Sequence, residues 1–197
     1  MTSIALPSIF KVARCAFTQA VNQRVNASPF GGSEQAVDLL NDRWLCSLEV
    51  WQMSPAEAAQ LEAFIGQMRG QTNTTPLYHM ARPTPRGTAR GTQTLSAGVA
   101  QGASSLPITG ISPSTGSYLA GDMIGAGGQL FMVAQDTTAV AGAATVPITN
   151  RVRTALSNGA SVTWNAPTVP MRMLANGGVN YARAVVPGTS FDFGEVI

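Results

Sequence analysis

Residues 118–136, YLAGDMIGAGGQLFMVAQD, restrict the possible folds of this chain more than any other stretch. Two short apolar segments flank Gly125, Gly127 and Gly128. That spacing predicts strand, tight turn, strand, because a two-residue hairpin turn needs positive φ and glycine supplies it without a steric penalty. The glycine run is not a phosphate cradle. It lacks the GxGxxG spacing, and a strand rather than a helix is expected after it.

The surrounding segment, 92–164, is rich in Gly, Ala, Ser and Thr and carries almost no charge before Arg151. Strands are predicted at 105–108, 123–124, 129–134, 144–148 and 161–164. Short strands with frequent turn signals point to a small barrel or sandwich. Leu106-Pro107-Ile108-Thr109 and Val146-Pro147-Ile148-Thr149 are near-copies, which marks a candidate internal pseudo-repeat. Each proline removes a ladder donor, so both are expected at a sheet edge or bulge.

Residues 1–91 read differently. Strands are predicted at 10–17, 35–40, 44–53 and 76–80. In 44–53, Trp44, Cys46, Leu48 and Val50 alternate with Leu45, Ser47, Glu49 and Trp51. Tryptophans on opposite faces predict that both faces are at least partly covered. Ser54-Pro55-Ala56-Glu57 opens a helix: Ser54 caps, Pro55 fits the first helical position and Glu57 completes a capping box. Ala58, Leu61, Ile65 and Met68 form the expected apolar stripe, and Gly70 is the expected left-handed stop. The segment 82–87, RPTPRG, must be extended and reads as a boundary. Residues 165–197 return to arginines and aromatics, with strands predicted at 171–174 and 191–196. Phe191, Phe193 and Glu195 share one face there. The fold expected is mainly β with one packed α-helix. In it, 1–91 plus 165–197 form a β-sandwich-like domain, and 92–164 is an inserted small β-barrel or sandwich.

Charged residues are 11% of the 197, against about 25% in typical domains. The basic side chains are eleven arginines and Lys11 alone. Thin charge and an arginine bias favour a subunit whose surface is covered by partners, since arginine suits interfaces and lysine open water. The alternative is a small β-rich domain with a Ser/Thr/Asn/Gln surface. A formal net charge of +2 does not make the basic stripe that nucleic acid requires. Residues 1–10 have no basic start and no long apolar core, so no signal peptide is expected, and no apolar run reaches the 18 residues of a membrane span.

Catalytic and metal chemistry find few footholds. His79 is the lone histidine, and Cys15 and Cys46 match no ligand spacing. The cysteines read as reduced and buried, with a Cys15–Cys46 disulfide as the alternative. A nucleophile pair of either cysteine with His79 would need an orienting group and an oxyanion donor that the sequence does not announce. Asp38 and Asp42 would share a face if helical, and Asp122 and Asp136 flank the glycine hairpin. Trp164, Tyr118 and Tyr181 are candidate sugar platforms, although Trp164 reads better as core. No catalytic, cofactor-binding or metal-binding residue is assigned.

The residues also carry a resemblance. WLCSLEVWQMSPAEAAQLEAFIGQMRG (44–70) is followed by PLYHMARPTPRG, LAGDMIGAGGQLFMV, VTWNAPTVPMRML and a closing SFDFGEVI. In this order the chain resembles the distal tail protein family, and related minor tail proteins, of long-tailed bacteriophages. The resemblance spans most of the chain. It implies a structural virion protein of the tail tip or baseplate, forming a ring, most readily a hexamer, that joins the tail tube to the receptor-binding apparatus. The implied partners are copies of itself, the tail tube and other tail-tip proteins, with assembly in the host cytoplasm. Many relatives append the small β-domain at the carboxyl end, whereas here it reads as an insertion. The rival reading is a receptor- or carbohydrate-binding module on the virion tail. A third, a peptidoglycan hydrolase, lacks a catalytic inventory.

Overall fold

The computed structural model of the chain describes residues 1–8, 10–29, 31–175, 177–182 and 185–197. It is mainly β with one helix, as expected. A five-stranded antiparallel sheet contains β1 (Val12–Ala20), β4 (Arg43–Val50), β15 (Ser190–Glu195), β14 (Val169–Met173) and β5 (Thr75–Leu77), in that order. A ribbon of β2 (Gln23–Ala27) and β3 (Glu34–Asp38) extends the β1–β4 connection. The chain leaves the large sheet at Leu77 and returns at Val169, which pairs with Leu77 itself. Everything between is an excursion from one pair of neighbouring strands.

In β4, Trp44, Cys46, Leu48 and Val50 are all buried. They meet Phe191 and Phe193 of β15 and Leu61, Phe64 and Met68 of α1 (Pro55–Met68) in one apolar cluster. On the opposite face of β4, Leu45 is half-buried and Ser47 and Glu49 are exposed, and Trp51, just beyond the strand, is 61% exposed rather than covered as expected. The capping box forms as predicted. Glu57 N–H donates to Ser54 Oγ at 3.3 Å, and Ser54 N–H donates to Glu57 Oε2 at 2.9 Å. Two details of the helix differ. Phe64 is buried and Ile65 only half-buried, since the stripe turns toward Phe10, whose ring meets Phe64 edge-on at 5.7 Å. The left-handed turn also begins one residue early: Arg69 itself has φ 49° before Gly70 at φ 65°.

The excursion carries a six-stranded antiparallel sheet. Its members are β10 (Gln129–Met132), β9 (Met123–Ala126), β13 (Ser161–Thr163), β6 (Gln93–Leu95), β7 (Ser105–Thr109) and β12 (Ala143–Pro147). A bridge from Val133 to Ile148 links the ends of the two edge strands, so the sheet curls toward closure around a second core containing Phe131, Ile124, Leu106 and Tyr118. The glycine turn forms as expected. Ala126 pairs with Gln129, and Gly127 and Gly128 have φ of 56° and 75°, both positive as a type I′ turn requires. Two-residue strands β8 (Ser117–Tyr118) and β11 (Thr137–Thr138) pair beside the curled sheet. These and β6 escape sequence reading because segments of two or three residues show no periodicity.

The proline expectation holds for Pro147, on edge strand β12, but fails for Pro107, since β7 lies between β6 and β12. The reason is local. Pro107 accepts from Ser96 N–H at 2.9 Å but cannot return the bond, and the β6–β7 register stops at Leu95–Ile108, one pair before it. The near-copies prove to be neighbours: Leu106 pairs with Val146 across β7 and β12.

The two sheets are joined through buried polar groups. The Trp44 indole N–H donates to Leu130 O at 2.9 Å. Arg153, beside β10, ion-pairs with Glu195 at the end of β15, with side-chain exposures of 10% and 0%. Glu195 also accepts from Trp44 N–H at 2.9 Å, and Arg153 donates to Asp42 O at 3.1 Å.

Candidate functional surface

The most distinctive surface is the β2–β3 ribbon. Its pairs run from Gln23–Asp38 to Ala27–Glu34, and all ten strand residues are exposed. Val25 and Val37 lie on it, with Val21 and Leu39 at its base, each more than a third exposed. An isolated two-stranded ribbon with no apolar face to bury is marginal in water. This one is held at its base. Leu39 N–H donates to Asn22 O at 2.9 Å, Asn22 N–H to Asp42 Oδ1 at 2.9 Å, and Gln19 to Asp42 Oδ2 at 3.0 Å. Arg151, in the segment after β12, pairs with Asp38 at 3.2 Å. Asp38 and Asp42 therefore do not share a helix face. They end β3 and precede β4, separated by Leu40 and Asn41 at φ of 60° and 62°.

The ribbon continues from β1, nine residues long and an edge of its sheet. Such an edge offers unpaired backbone groups to another chain. Apolar exposure continues nearby at Ile197, which borders a recess at the ribbon base with Val21 and Arg43. A hydrogen-bonded base, an exposed arm and the β1 edge, unpaired on its outer side among the described residues, thus lie together.

The other sequence candidates fall into structural roles. Asp122 is buried and accepts from the backbone N–H of Arg86 at 2.8 Å, Gly87 at 3.1 Å and Leu119 at 2.8 Å, which pins the 82–87 segment to the curled sheet. Gly87 is required there, since a β-carbon would fall on the Ser117 carbonyl oxygen. Asp136 accepts from Ala120 N–H at 2.8 Å. Tyr118 is wholly buried and donates to Gln93. Burial pushes its phenol pKa up, beyond what the Gln93 bond offsets. Trp164 is half-buried rather than core, with the Arg90 guanidinium 5.0 Å from the ring centre. Tyr181 is half-exposed and donates to Glu62 at 2.9 Å. The sugar platforms foreseen are thus buried, capped by an arginine or tied to the helix.

Cys15, Cys46 and His79 are brought into one neighbourhood. His79 is buried and stacks on Phe17 at 5.2 Å. Its Nε2 accepts from Arg82 Nε at 3.4 Å, and among the described residues its Nδ1 has no hydrogen-bond partner and it makes no bond to either cysteine. Burial, then the Arg82 charge, lowers its pKa. Both thiols are free; Cys46 is buried as expected, but Cys15 is only half-buried. Among the described residues, no three His, Cys, Asp or Glu side chains gather as a metal-ligand group, and no helix is long and apolar enough to cross a membrane. No protein-family model matches the chain, and no curated protein matches it.

Proposed function

We propose that this chain is a structural subunit of a phage tail tip, assembled as a closed ring, most readily of six copies, between the tail tube and the receptor-binding apparatus. The observation that carries the reading is the fully exposed β2–β3 ribbon, continuous with the β1 edge. A ring needs heterologous contacts, in which one surface of a subunit meets a different surface of the next. An arm on one side of the subunit and unfilled apolar surface elsewhere have that asymmetry. Low charge leaves little to keep neighbours apart, and arginine-rich composition suits the contacts. In this reading 1–91 with 165–197 form the ring. The segment 92–164, which leaves and re-enters between paired β5 and β14, is carried as an inserted module. Particle imaging of the assembled tail tests the assignment. The expected result is a closed ring of this chain around the tail axis at the tube–tip junction. Single copies on peripheral fibres would reject it.

A further inference from the structure

The near-copies at 106–109 and 146–149 are the most similar part of a longer correspondence. Aligning Leu106 with Val146 places β7 on β12, and at a slightly shorter offset β6 falls on β10 and β9 on β13. Every strand adjacency of the curled sheet survives that exchange. β6 meets β7 and β13, while β10 meets β12, through the Val133–Ile148 bridge, and β9. The β7–β12 and β9–β13 pairs map onto themselves. Register survives as well. Gln93 faces Val162 as Phe131 faces Ile124, and Thr94 faces Ser161 as Met132 faces Met123. Leu106 faces its own counterpart Val146, and Gly125 its counterpart Thr163, as residues on a twofold axis must. Even the β8–β11 pair recurs: Tyr118 faces Thr137 as Leu156 faces Val99.

Hydrogen bonds outside the strands repeat at nearly equal lengths. Leu95 N–H donates to Ala160 O and Val133 N–H to Asp122 O, both at 2.9 Å. Gly159 N–H donates to Leu95 O and Gly121 N–H to Val133 O, both at 2.8 Å. Gly102 N–H donates to Val152 O at 2.7 Å, and Gly142 N–H to Ser114 O at 2.8 Å. These four glycines all have φ between 76° and 88°. Burying a core requires neither a repeated strand order nor a repeated register, so one origin for both halves accounts for the two together. What the halves do not share is attachment. Asp122 accepts from the N–H groups of Arg86 and Gly87, and its counterpart Ala160 has no side-chain acceptor. Arg153 ion-pairs with Glu195, and its counterpart Thr115 carries no charge.

We infer that 93–126 and 131–164 are two copies of one unit, and that the face each turns to the other is self-complementary: the partner it fits is a second copy of the same unit. An isologous contact of this kind places one surface against itself, and a single unit leaves its apolar strands uncovered, so the unit is complete only as a pair. The two-residue turn at Gly127–Gly128 joins the pair into one chain. Each half then acquired its own attachments. The first half holds the entering 82–87 segment through Asp122, and the second holds the five-stranded sheet through Arg153. The inference does not rest on the ring assignment.

The Tyr118–Gln93 hydrogen bond, buried and present in the first half, supplies the test. The counterparts of this pair are Leu156 and Phe131, also buried. In the intact chain, Phe131→Gln strands an amide in the core and should lower the melting midpoint. Adding Leu156→Tyr should raise it again, because the transplanted hydroxyl meets the amide as it does in the first half. Gln93→Phe with Tyr118→Leu is the reverse transplant. It should melt above Gln93→Phe alone, which strands the Tyr118 hydroxyl. In either direction, a double variant that melts no higher than that single variant would overturn the inference. Amide exchange of the unmodified chain needs no variant to fold. Leu95 and Val133, Gly102 and Gly142, and Gly121 and Gly159 should be protected in matching pairs, since each N–H is bonded in the same way as its counterpart. A protected amide with a fast-exchanging counterpart would overturn the inference as well.

Discussion

Leu61 and Ile65 stand one turn apart on α1, yet only Leu61 is fully buried, at 1% exposure. A stripe read at ideal spacing cannot tell which side of its centre the tertiary neighbours occupy. Here Phe10 and the β-sheet draw in Phe64 instead. Leu61→Ala is expected to cost ~2–5 kcal/mol, the range for deleting a buried leucine side chain. Ile65→Ala should cost roughly half as much, in line with its partial burial. Urea unfolding of both variants checks the difference, and equal losses would mean that α1 is rotated about its axis. Trp51 makes the same point in reverse. It sits on the alternating pattern of β4, but the pattern does not say whether anything covers that face.

The capping box of α1 was fully legible, because its four residues interact within one turn. It also makes a pH prediction. The Ser54 backbone N–H, then Lys11 at 3.0 Å and the Ser54 hydroxyl, hold the Glu57 carboxyl at about 2. Its folded-state value lies below the unfolded one. Its contribution is therefore complete above about pH 4.5 and is lost as pH falls through about 2. Glu57→Gln should flatten that part of the stability–pH curve, seen as a smaller drop in thermal midpoint between about pH 5 and about pH 2. An unchanged slope would mean that Glu57 is not engaged. The β2–β3 ribbon is the opposite kind of element, formed without a core of its own. Val25→Asp with Val37→Asp should change monomer stability by no more than about 0.5 kcal/mol, as for ordinary surface positions. It should abolish ring assembly, read by electron microscopy of reconstituted tails. Normal rings from the double variant would remove the ribbon from the interface.

For the whole molecule, the buried Arg153–Glu195 pair is one of the links between the two sheets, beside the Trp44–Leu130 bond and the apolar contacts of Met123 and Leu130. Removing one partner of a buried pair costs about 3–5 kcal/mol, because the other charge is stranded. Glu195→Leu or Arg153→Met alone should show that loss. The double variant should recover much of it, since apolar replacement of both ends removes the stranded charge. Calorimetry of the intact chain should give one transition, separating into two when the link is cut. Additive losses in the double variant would show that the pair is not coupled.

The chain alone determined whatever depends on near neighbours: the Ser54 cap, the Gly127–Gly128 turn, the alternation of β4 and β15, and the mainly β character with one helix. These follow from φ preferences, local hydrogen bonds and side-chain period, all expressed within a few residues. Tertiary structure decided the rest. It placed Pro107 in an interior strand by ending β6 beside it, and set Leu106 against Val146. It buried Tyr118 and capped Trp164 with Arg90. It gathered Cys15, Cys46 and the 79–82 turn, which lie more than thirty residues apart along the chain at each step. It left the ribbon of β2 and β3 without a covering layer. Such outcomes depend on which distant segments meet, and composition and spacing carry no signal for that.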